Sequence, residues 1–169
     1  MASDAPGMYL MDSDPEVHKY VGKKPVSTEQ QIEDVIAMVQ RQYTDFGIGR
    51  WAVIDKASGE FAGWTGFKYM EGLINGHERF YDFGYRLTRS FWGMGYATEA
   101  GRAALAYGVR ELGLKDIYAM TDCENEASRN VLQKLGFVYQ TTFEWMSEPN
   151  WREAGELTTW YRYPLPAGL

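Results

Sequence analysis

The residues best suited to chemistry form a glycine-containing turn, Trp92-Gly93-Met94-Gly95-Tyr96-Ala97. A strand pattern ends at Leu87 and a helical pattern begins at Gly95, so the turn opens a helix. The first amides of a helix have no partner within it and carry about half a positive charge. Because glycine has no Cβ, these amides can approach an anion closely. The turn is therefore predicted to bind a diphosphate without any basic side chain.

This segment resembles motif A of the GNAT superfamily of N-acetyltransferases, Q/R-x-x-G-x-G/A. Gly95 and Ala97 occupy its two small positions, and Trp92 replaces the usual glutamine or arginine. The run Trp-Gly-x-Gly-Tyr-Ala-Thr-Glu-Ala, preceded by Gly-Tyr-x-Leu, is similar to the RimJ/RimL-like branch. A block at residues 125–137 is similar to the same branch's N-x-x-S-x-x-x-L-x-K-x-G-F, in a resemblance that covers roughly residues 12 to 146. Three shorter matches follow the branch: Asp14-Pro15-Glu16-Val17, Trp51-Ala52-Val53-Ile54 and Gly63.

The resemblance implies an enzyme that uses acetyl-CoA as co-substrate and acetylates a primary amine by direct attack. The implied acceptor is a protein N-terminus, an amino acid, a polyamine or an antibiotic. The resemblance also implies that pantetheine pairs with backbone groups near Leu87 and Thr88, where two strands diverge, and that an amide stabilises the oxyanion. Lys134 could meet a CoA phosphate, with plain solvation as the alternative. The residues implied to bind the coenzyme are Leu87, Thr88, Trp92, Gly93, Met94, Gly95, Tyr96, Ala97, Thr98, Asn125, Ser128 and Arg129.

Two residues are candidates for the catalytic proton chemistry. Asp82, in the strand before the turn, is the candidate acceptor for the ammonium's proton, directly or through water. A solvated or salt-bridged strand carboxylate is an equally good interpretation, and Glu144 and Glu148 are alternative bases. Many superfamily members place a tyrosine seven residues after the asparagine of the second block, where this chain has Leu132. Ser128 is the candidate donor to the leaving sulfur, although hydrogen bonding at the helix start explains it equally well, as capping explains Asn125.

Other interpretations of the turn stay open. A nucleotide-binding βαβ unit of an oxidoreductase would use Gly93-x-Gly95 and the acid Asp122 after the next strand. Thr98 stands where that unit needs a third small residue, and several residues separate Leu87 from the first glycine, which disfavours it. The turn could also be a connection without a ligand. The missing tyrosine further permits an acyl-CoA-binding module with little catalytic activity.

Aromatic residues make up 15% of the chain, more than core filling usually requires. Some of them are candidates for lining the acceptor cleft, partly by cation–π contact, with core packing as the common alternative. These candidates are Trp51, Trp64, Tyr69, Tyr81 and Trp145. Cysteine or metal chemistry is not predicted, because Cys123 is the single cysteine and the two histidines, His18 and His77, stand in no triad or ligand pattern.

Periodic patterns predict the helices of the N-terminal third. Asp14-Pro15-Glu16 indicates a helix start with proline at its first position. Ser27 is predicted to cap a longer helix, with Gln30 as its capping-box partner. Residues 1–12 show no clear period, so they are expected to lie partly loose, with the branch's usual first strand short or missing. The apolar stripe of the longer helix is Ile32, Val35, Ile36, Val39 and Tyr43.

The rest of the chain alternates strand and helix patterns. Strands are predicted at residues 51–54, 60–69, 80–87, 116–121, 137–146 and 156–163, and helices at 95–112 and 127–135. This order predicts a mixed sheet with helices on both faces, in which the strands flanking helix 95–112 are parallel. The resemblance implies the GNAT-type α/β fold, with a mostly antiparallel central sheet.

Bulk composition narrows the partners and the location. The 169 residues suit one domain, residues 1–169. The net charge of −6 disfavours a nucleic-acid partner, and the lack of a long apolar run or signal-peptide pattern disfavours a membrane. One cysteine fits a reducing compartment. The protein is predicted to be cytoplasmic and a monomer or homodimer.

Overall fold

The computed structural model describes residues 2–145 and 155–165. The elements are α1 (Ala5–Asp12), α2 (Pro15–His18), α3 (Glu29–Phe46), β1 (Arg50–Ile54), β2 (Phe61–Met70), β3 (Phe80–Leu87), α4 (Tyr96–Arg110), β4 (Ile117–Asp122), α5 (Glu126–Lys134), β5 (Val138–Glu144) and β6 (Leu157–Arg162). The strands form one sheet in the order β1-β2-β3-β4-β6-β5. Within the described part of the chain, no helix is both long and apolar enough to span a bilayer.

This arrangement confirms the predicted α/β fold with a mixed, mostly antiparallel sheet flanked by helices on both faces. β3 has the predicted bounds, and the other strands, α4 and α5 begin and end within two residues of theirs. Among the described strands only β3 and β4 pair in parallel. The nucleotide-binding interpretation is therefore wrong, because its βαβ units need a run of neighbouring parallel strands.

One face of the sheet is covered by α4 and α5 over the main hydrophobic core. Phe83 of β3, Leu105 of α4 and Leu132 of α5 are each 2% exposed in this core. Helix α4 lies very close to the sheet because two of its inward-facing residues, Gly101 and Gly108, are glycines. A Cβ added to Gly108 would lie 2.7 Å from the Phe67 ring, and any larger residue would push the helix away.

The opposite face carries α1, which corrects the expectation that residues 1–12 lie loose. From Ala5 onward these residues form a helix that has a proline at its second position and buries Met8 and Met11. The helix contacts β2 so closely that a Cβ on Gly7 would lie 2.6 Å from Phe61. Eight residues are too few to show a helical period clearly, which is why the pattern did not indicate the helix. No strand precedes β1 among the described residues.

Residue Thr28, rather than Ser27, caps α3. The Thr28 hydroxyl accepts from the Gln31 amide at 3.4 Å, and the Gln31 carboxamide accepts from the Thr28 amide at 3.1 Å. The predicted partner Gln30 instead donates to Asp34 along the helix surface. The capping box is thus shifted by one residue from its predicted position, because Ser27 and Thr28 are both good caps and Gln30 and Gln31 both good partners. Ile32 is the buried anchor of the apolar stripe, at 1% exposure.

Candidate active site

The centre of the sheet opens between β3 and β4. The two strands pair only at Tyr81 with Ile117 and at Asp82 with Tyr118, while β3 continues to Leu87. The predicted divergence of these strands is therefore present. The Tyr81 amide donates to the Asp116 carbonyl on the β4 side. Since successive backbone groups of a strand point to opposite sides, odd-numbered residues of β3 face β4.

This alternation identifies which backbone groups face the opening. The N–H and C=O of Tyr85 and the N–H of Leu87 lie on the β4 side, beyond the last paired position. The Leu87 carbonyl accepts a hydrogen bond from the Trp92 indole at 2.9 Å. The Thr88 amide donates to Ala62 of β2 at 2.9 Å. Tyr85 is thus the first residue with both its N–H and its C=O on this side beyond the last paired position, two residues before the position considered from the sequence.

The predicted diphosphate turn follows directly. Gly93 and Gly95 have φ angles of 74° and 91°, in the left-handed region that glycine adopts without strain. A Cβ added to either glycine would meet no atom within 4 Å, so the space above the turn is open. From Gly93 to Ala97, the five backbone N–H groups have no acceptor among the described residues. Thr98 ends this row, because its amide donates to the Gly95 carbonyl at 3.0 Å.

A side-chain hydrogen bond braces the start of α4. The Tyr96 hydroxyl donates to Asp55, in the turn between β1 and β2, at 2.5 Å. Hydrogen bonds from Tyr96 and then Ser58 lower the pKa of Asp55, while the bond to Asp55 raises the pKa of Tyr96. The Tyr96 ring also packs edge-on against Phe91, with 5.1 Å between centroids. The hairpin turn and the aromatic contact therefore hold the first residue of α4 in place.

The second sequence block makes structural contacts at the start of α5. The Asn125 side chain accepts from the Ser128 amide at 3.1 Å, which is the capping geometry. Arg129 donates to the Cys123 carbonyl at 3.1 Å. Lys134 is exposed. Leu132, at the position of the superfamily's usual tyrosine, is buried in the core.

Tyr85 is a further candidate site residue, whose role no sequence motif indicates by itself. Its hydroxyl lies 3.0 Å from the Ser128 hydroxyl and donates to the Ser128 carbonyl at 3.1 Å in one of the two possible arrangements of its hydrogen. Burial raises the pKa of Tyr85 to about 12, so the phenol is protonated at neutral pH. The sequence does contain a signal for this residue, because Tyr85 is the tyrosine of the Gly-Tyr-x-Leu run. The sequence alone does not connect it to Ser128.

The candidate base Asp82 lies on the face of the sheet that carries α1. Its carboxylate is 3.4 Å from a terminal nitrogen of Arg50, and both side chains are largely buried. The Arg50 guanidinium lies over the Trp64 ring at 4.1 Å. The alternative base Glu144 is exposed at the end of β5. Glu148 lies outside the described residues. Asp82 is thus a salt-bridged carboxylate beside the opening of the sheet.

The aromatic candidates separate into two groups. Trp64 lies with Arg50 on the α1 face, where its ring is next to Gly84 of β3. The Trp51 ring contacts Phe67, and the Tyr69 ring contacts Phe46 and Tyr81. Trp51 and Tyr81 both pack against the main core. The Trp145 indole donates to the buried Thr158 hydroxyl at 2.9 Å. Core packing therefore describes most of these rings.

The described residues fit a CoA molecule in three respects. The opening of the sheet leaves backbone groups for pantetheine amides, and the turn leaves N–H groups for the diphosphate. Between them in the chain, the buried Thr88 hydroxyl has no hydrogen-bond partner in the part of the chain that the structure describes. A buried polar atom without a partner costs free energy unless a ligand or water satisfies it.

Comparisons with known proteins agree with this geometry. Residues 1–138 match the acetyltransferase (GNAT) domain model. The chain is 34% identical over 125 residues to the uncharacterized N-acetyltransferase p20 of Bacillus licheniformis, covering 74% of this chain and 68% of that one. It is 33% identical over 153 residues to FsC-acetyl coenzyme A-N(2)-transacetylase of Aspergillus fumigatus, covering 87% and 64%. The fold is similar to spermidine N-acetyltransferase from Vibrio cholerae in complex with CoA and spermine, with a TM-score of 0.73, 18% identity, and coverage of 96% and 90%.

The chain belongs to the GNAT family of acetyltransferases. The protein is accordingly an acetyl-CoA-dependent acyltransferase, which confirms the family and the enzyme class predicted from the two sequence blocks.

Proposed function

We propose that this protein is a RimJ/RimL-like N-acetyltransferase that moves acetyl from acetyl-CoA to a primary amine. One observation carries the proposal: the opening between β3 and β4 leads directly to a turn with five N–H groups that have no acceptor among the described residues. The two sequence blocks that resemble the RimJ/RimL-like branch lie beside this opening, at the starts of α4 and α5. A protein named spermidine N-acetyltransferase shares the fold, so a polyamine is one candidate acceptor among several.

The coenzyme's diphosphate is proposed to bind the N–H groups of Gly93 to Ala97. Trp92 supports the turn by its bond to the Leu87 carbonyl, and Tyr96 supports it by its bond to Asp55. Met94 is 64% exposed and lies at the outer rim, where the nucleotide would pass. Pantetheine is proposed to pair with the open groups of Tyr85 and the Leu87 amide, and with the Thr88 hydroxyl. Asn125 and Arg129 shape the loop before α5. This loop is proposed to form the second wall of the coenzyme site, opposite β3.

In the proposed reaction, the acceptor amine attacks the thioester carbonyl carbon directly. A carbon–nitrogen bond forms and the carbon–sulfur bond breaks, while an open N–H of β3 stabilises the oxyanion. Asp82, at the last paired position before the opening, takes the proton that the ammonium must lose. Before the acceptor binds, an ion pair with Arg50 holds the carboxylate at this position.

Ser128 is proposed to stabilise the leaving thiolate with its hydroxyl hydrogen. If Tyr85 donates to the Ser128 hydroxyl oxygen, the serine hydrogen is released for another acceptor. Because the pKa of Tyr85 is about 12, its hydroxyl keeps this hydrogen at neutral pH. Tyr85 is therefore a positioning residue for Ser128, in a chain whose usual tyrosine position holds the buried Leu132.

Replacing one glycine at each end of α4 tests the coenzyme site. Gly95→Glu places a carboxylate over the unpartnered amides and is expected to weaken CoA binding by at least about 100-fold, because it blocks and repels the diphosphate. Gly113→Glu is the matched control, since Gly113 also has a positive φ, of 61°, and open space around it. Isothermal titration of CoA into both variants gives the affinities, and thermal unfolding reports the cost of backbone strain that they share.

Two measurements test the assigned diphosphate site and the proposed activity separately. Equal CoA affinity in the two variants would remove the turn as the diphosphate site. A thiol-release assay of the unaltered protein with peptides, amino acids, polyamines and aminoglycosides tests the transfer itself. If CoA binds but no amine is acetylated, the proposed N-acetyltransferase activity is wrong.

A further inference from the structure

A glycine row crosses the sheet under the guanidinium of Arg50. Arg50 pairs with Gly66 and Gly66 pairs with Gly84, so the three residues lie side by side on β1, β2 and β3. Without side chains on the two glycines, the arginine reaches across β2 to β3. A Cβ added to Gly84 would lie 3.4 Å from a terminal nitrogen of Arg50. The guanidinium therefore lies directly beside the strand segment where β3 leaves β4.

The guanidinium is largely buried but incompletely bonded. It lies 4.1 Å from the Trp64 ring centroid, and its contact with Asp82 is long, at 3.4 Å. Its Nε is buried and has no hydrogen-bond partner within residues 2–145 and 155–165. Arginine prefers planar, two-pronged contacts with a carboxylate, and this arrangement leaves that capacity unused.

The charges around Asp82 do not balance among the described residues. Lys68 of β2 is the cross-strand neighbour of Asp82, but it makes no ion pair among the described residues. Arg86 is neutralised separately by Asp12, at 2.7 Å. Burial and then the charge of Arg50 lower the pKa of Lys68, and burial is also the first cause that lowers the pKa of Arg50. Two cations thus share one carboxylate, a combination that favours an added anion.

We infer that the acceptor is an amino acid, whose carboxylate binds Arg50 and whose amino group binds Asp82. The inference rests on the proposed acetyltransferase function and names the substrate class of the same site. The short separation of the Arg50 and Asp82 groups matches an amine and a carboxylate joined through one or two carbon atoms. On binding, the ion pair between the two side chains is exchanged for one contact from each to the substrate.

The same charges disfavour a polyamine. A polyamine brings two or more positive charges, while the described cluster offers Asp82 against Arg50 and Lys68. Like charges brought together in a partly buried site oppose binding, which makes the cluster selective as well as attractive. The carboxylate of an amino acid reverses this balance.

Matched substrates test the inference. The kcat/KM for acetylation is measured for a set of free amino acids, for the α-carboxamide of each, and for spermidine. The free acids are expected to exceed their carboxamides by roughly 10- to 100-fold, the range of a hydrogen bond to a charged group. Spermidine is expected to be poorer still.

Substitution of the arginine provides the second measurement. Arg50→Gln is expected to reduce the acid-to-carboxamide ratio to near one, and Arg50→Lys to recover part of it, because lysine keeps the charge but loses the two-pronged contact. Arg102→Gln, at an exposed position of α4, is the matched control and is expected to keep the ratio. CoA titration of each variant shows that the coenzyme site is intact.

The outcomes separate the two proposals. Preference for spermidine or for the carboxamides, or an unchanged ratio in Arg50→Gln, overturns the amino-acid acceptor while acetyl transfer stands. Loss of CoA binding in Arg50→Gln also counts against the inference, because it makes the arginine a structural residue. Absence of transfer to every amine overturns the proposed function itself.

Discussion

At the scale of single residues, the site combines positions that the sequence indicates with positions that only the fold brings together. Gly95 and Ser128 belong to local motifs, so their neighbours in the chain are also their neighbours in space. Tyr85 and Ser128 are separated by 43 residues, and Arg50 and Asp82 by 32. Nothing in the local pattern connects such pairs, because their contact depends on strand register and on how the helices pack.

The Tyr85–Ser128 contact predicts a specific kinetic effect. Tyr85→Phe is expected to lower kcat about tenfold and to leave the KM for acetyl-CoA within about twofold, because the hydroxyl orients Ser128 without holding the coenzyme. Ser128→Ala is expected to lower kcat by about 100-fold. Steady-state kinetics of both variants and of the double variant measures the coupling.

If Tyr85 acts through Ser128, the double variant is no slower than Ser128→Ala alone. Additive losses in the double variant would show that the two hydroxyls act independently. Tyr107→Phe, which alters a half-exposed ring on α4, is the control and is expected to keep the unaltered kcat.

At the scale of elements, the sequence predicts what local signals determine and misses what tertiary contact determines. The β3–turn–α4 segment has a strand period, glycines and a helical period in succession, and its predicted bounds agree closely with the structure. α1 has no such signal, since its stability comes from Gly7 lying against Phe61 and from the Asp12–Arg86 pair. Its partners are more than fifty residues away in the chain.

The cap of α3 gives a test at this scale. Thr28→Ala is expected to lower the free energy of unfolding by about 1 kcal/mol, because it removes the side-chain acceptor for the Gln31 amide. Ser27→Ala is expected to cost only a few tenths, since the Ser27 amide keeps its bond to Gln31 at 2.8 Å. Urea unfolding of both variants measures the difference, and a larger loss in Ser27→Ala would contradict the assigned cap.

Docking of α1 predicts a dependence of stability on pH. Burial acts to raise the pKa of Asp12, but hydrogen bonds from His18 and Arg86 outweigh it and lower the pKa overall. A carboxyl with a lowered native pKa contributes stability above its unfolded pKa of about 3.9 and loses it as the pH falls through the native value. Thermal unfolding between pH 3 and 7 is expected to show this loss.

Asp12→Asn isolates the contribution of that carboxylate. The variant is expected to lose roughly 3 kcal/mol at pH 7, because Arg86 keeps its charge in a largely buried position without this partner. Its melting temperature should then depend less on pH below about 4 than that of the unaltered protein. An acid-dependence equal to that of the unaltered protein would assign the effect to other carboxyls.

At the scale of the whole molecule, the opening between β3 and β4 divides the sheet into two halves. β1, β2 and β3 form one half, and β4, β6 and β5 form the other, joined by two paired positions and by α4. A coenzyme bonded to both walls would restore part of the missing ladder. Organisation as a single domain over residues 1–169 and a cytoplasmic location stay predictions from the sequence.

Coenzyme binding is therefore expected to stabilise the whole fold. CoA at about 100 times its dissociation constant adds roughly 2.7 kcal/mol, which corresponds to about 5–10 °C in melting temperature for a domain of this size. Hydrogen exchange is expected to slow at the Tyr85 and Leu87 amides and across the turn from Gly93 to Ala97. Protection confined to other parts of the sheet would contradict the assigned path, and Gly95→Glu is expected to show neither change.

The bond between Tyr96 and Asp55 extends the coenzyme site to a surface hairpin. Residues 55–59 form an exposed turn of the kind that protein engineers choose for tags, epitope insertions or loop shortening. Here such edits would release the brace on the first residue of α4, although they lie far along the chain from the glycine turn. Insertions in this protein are better directed away from that hairpin.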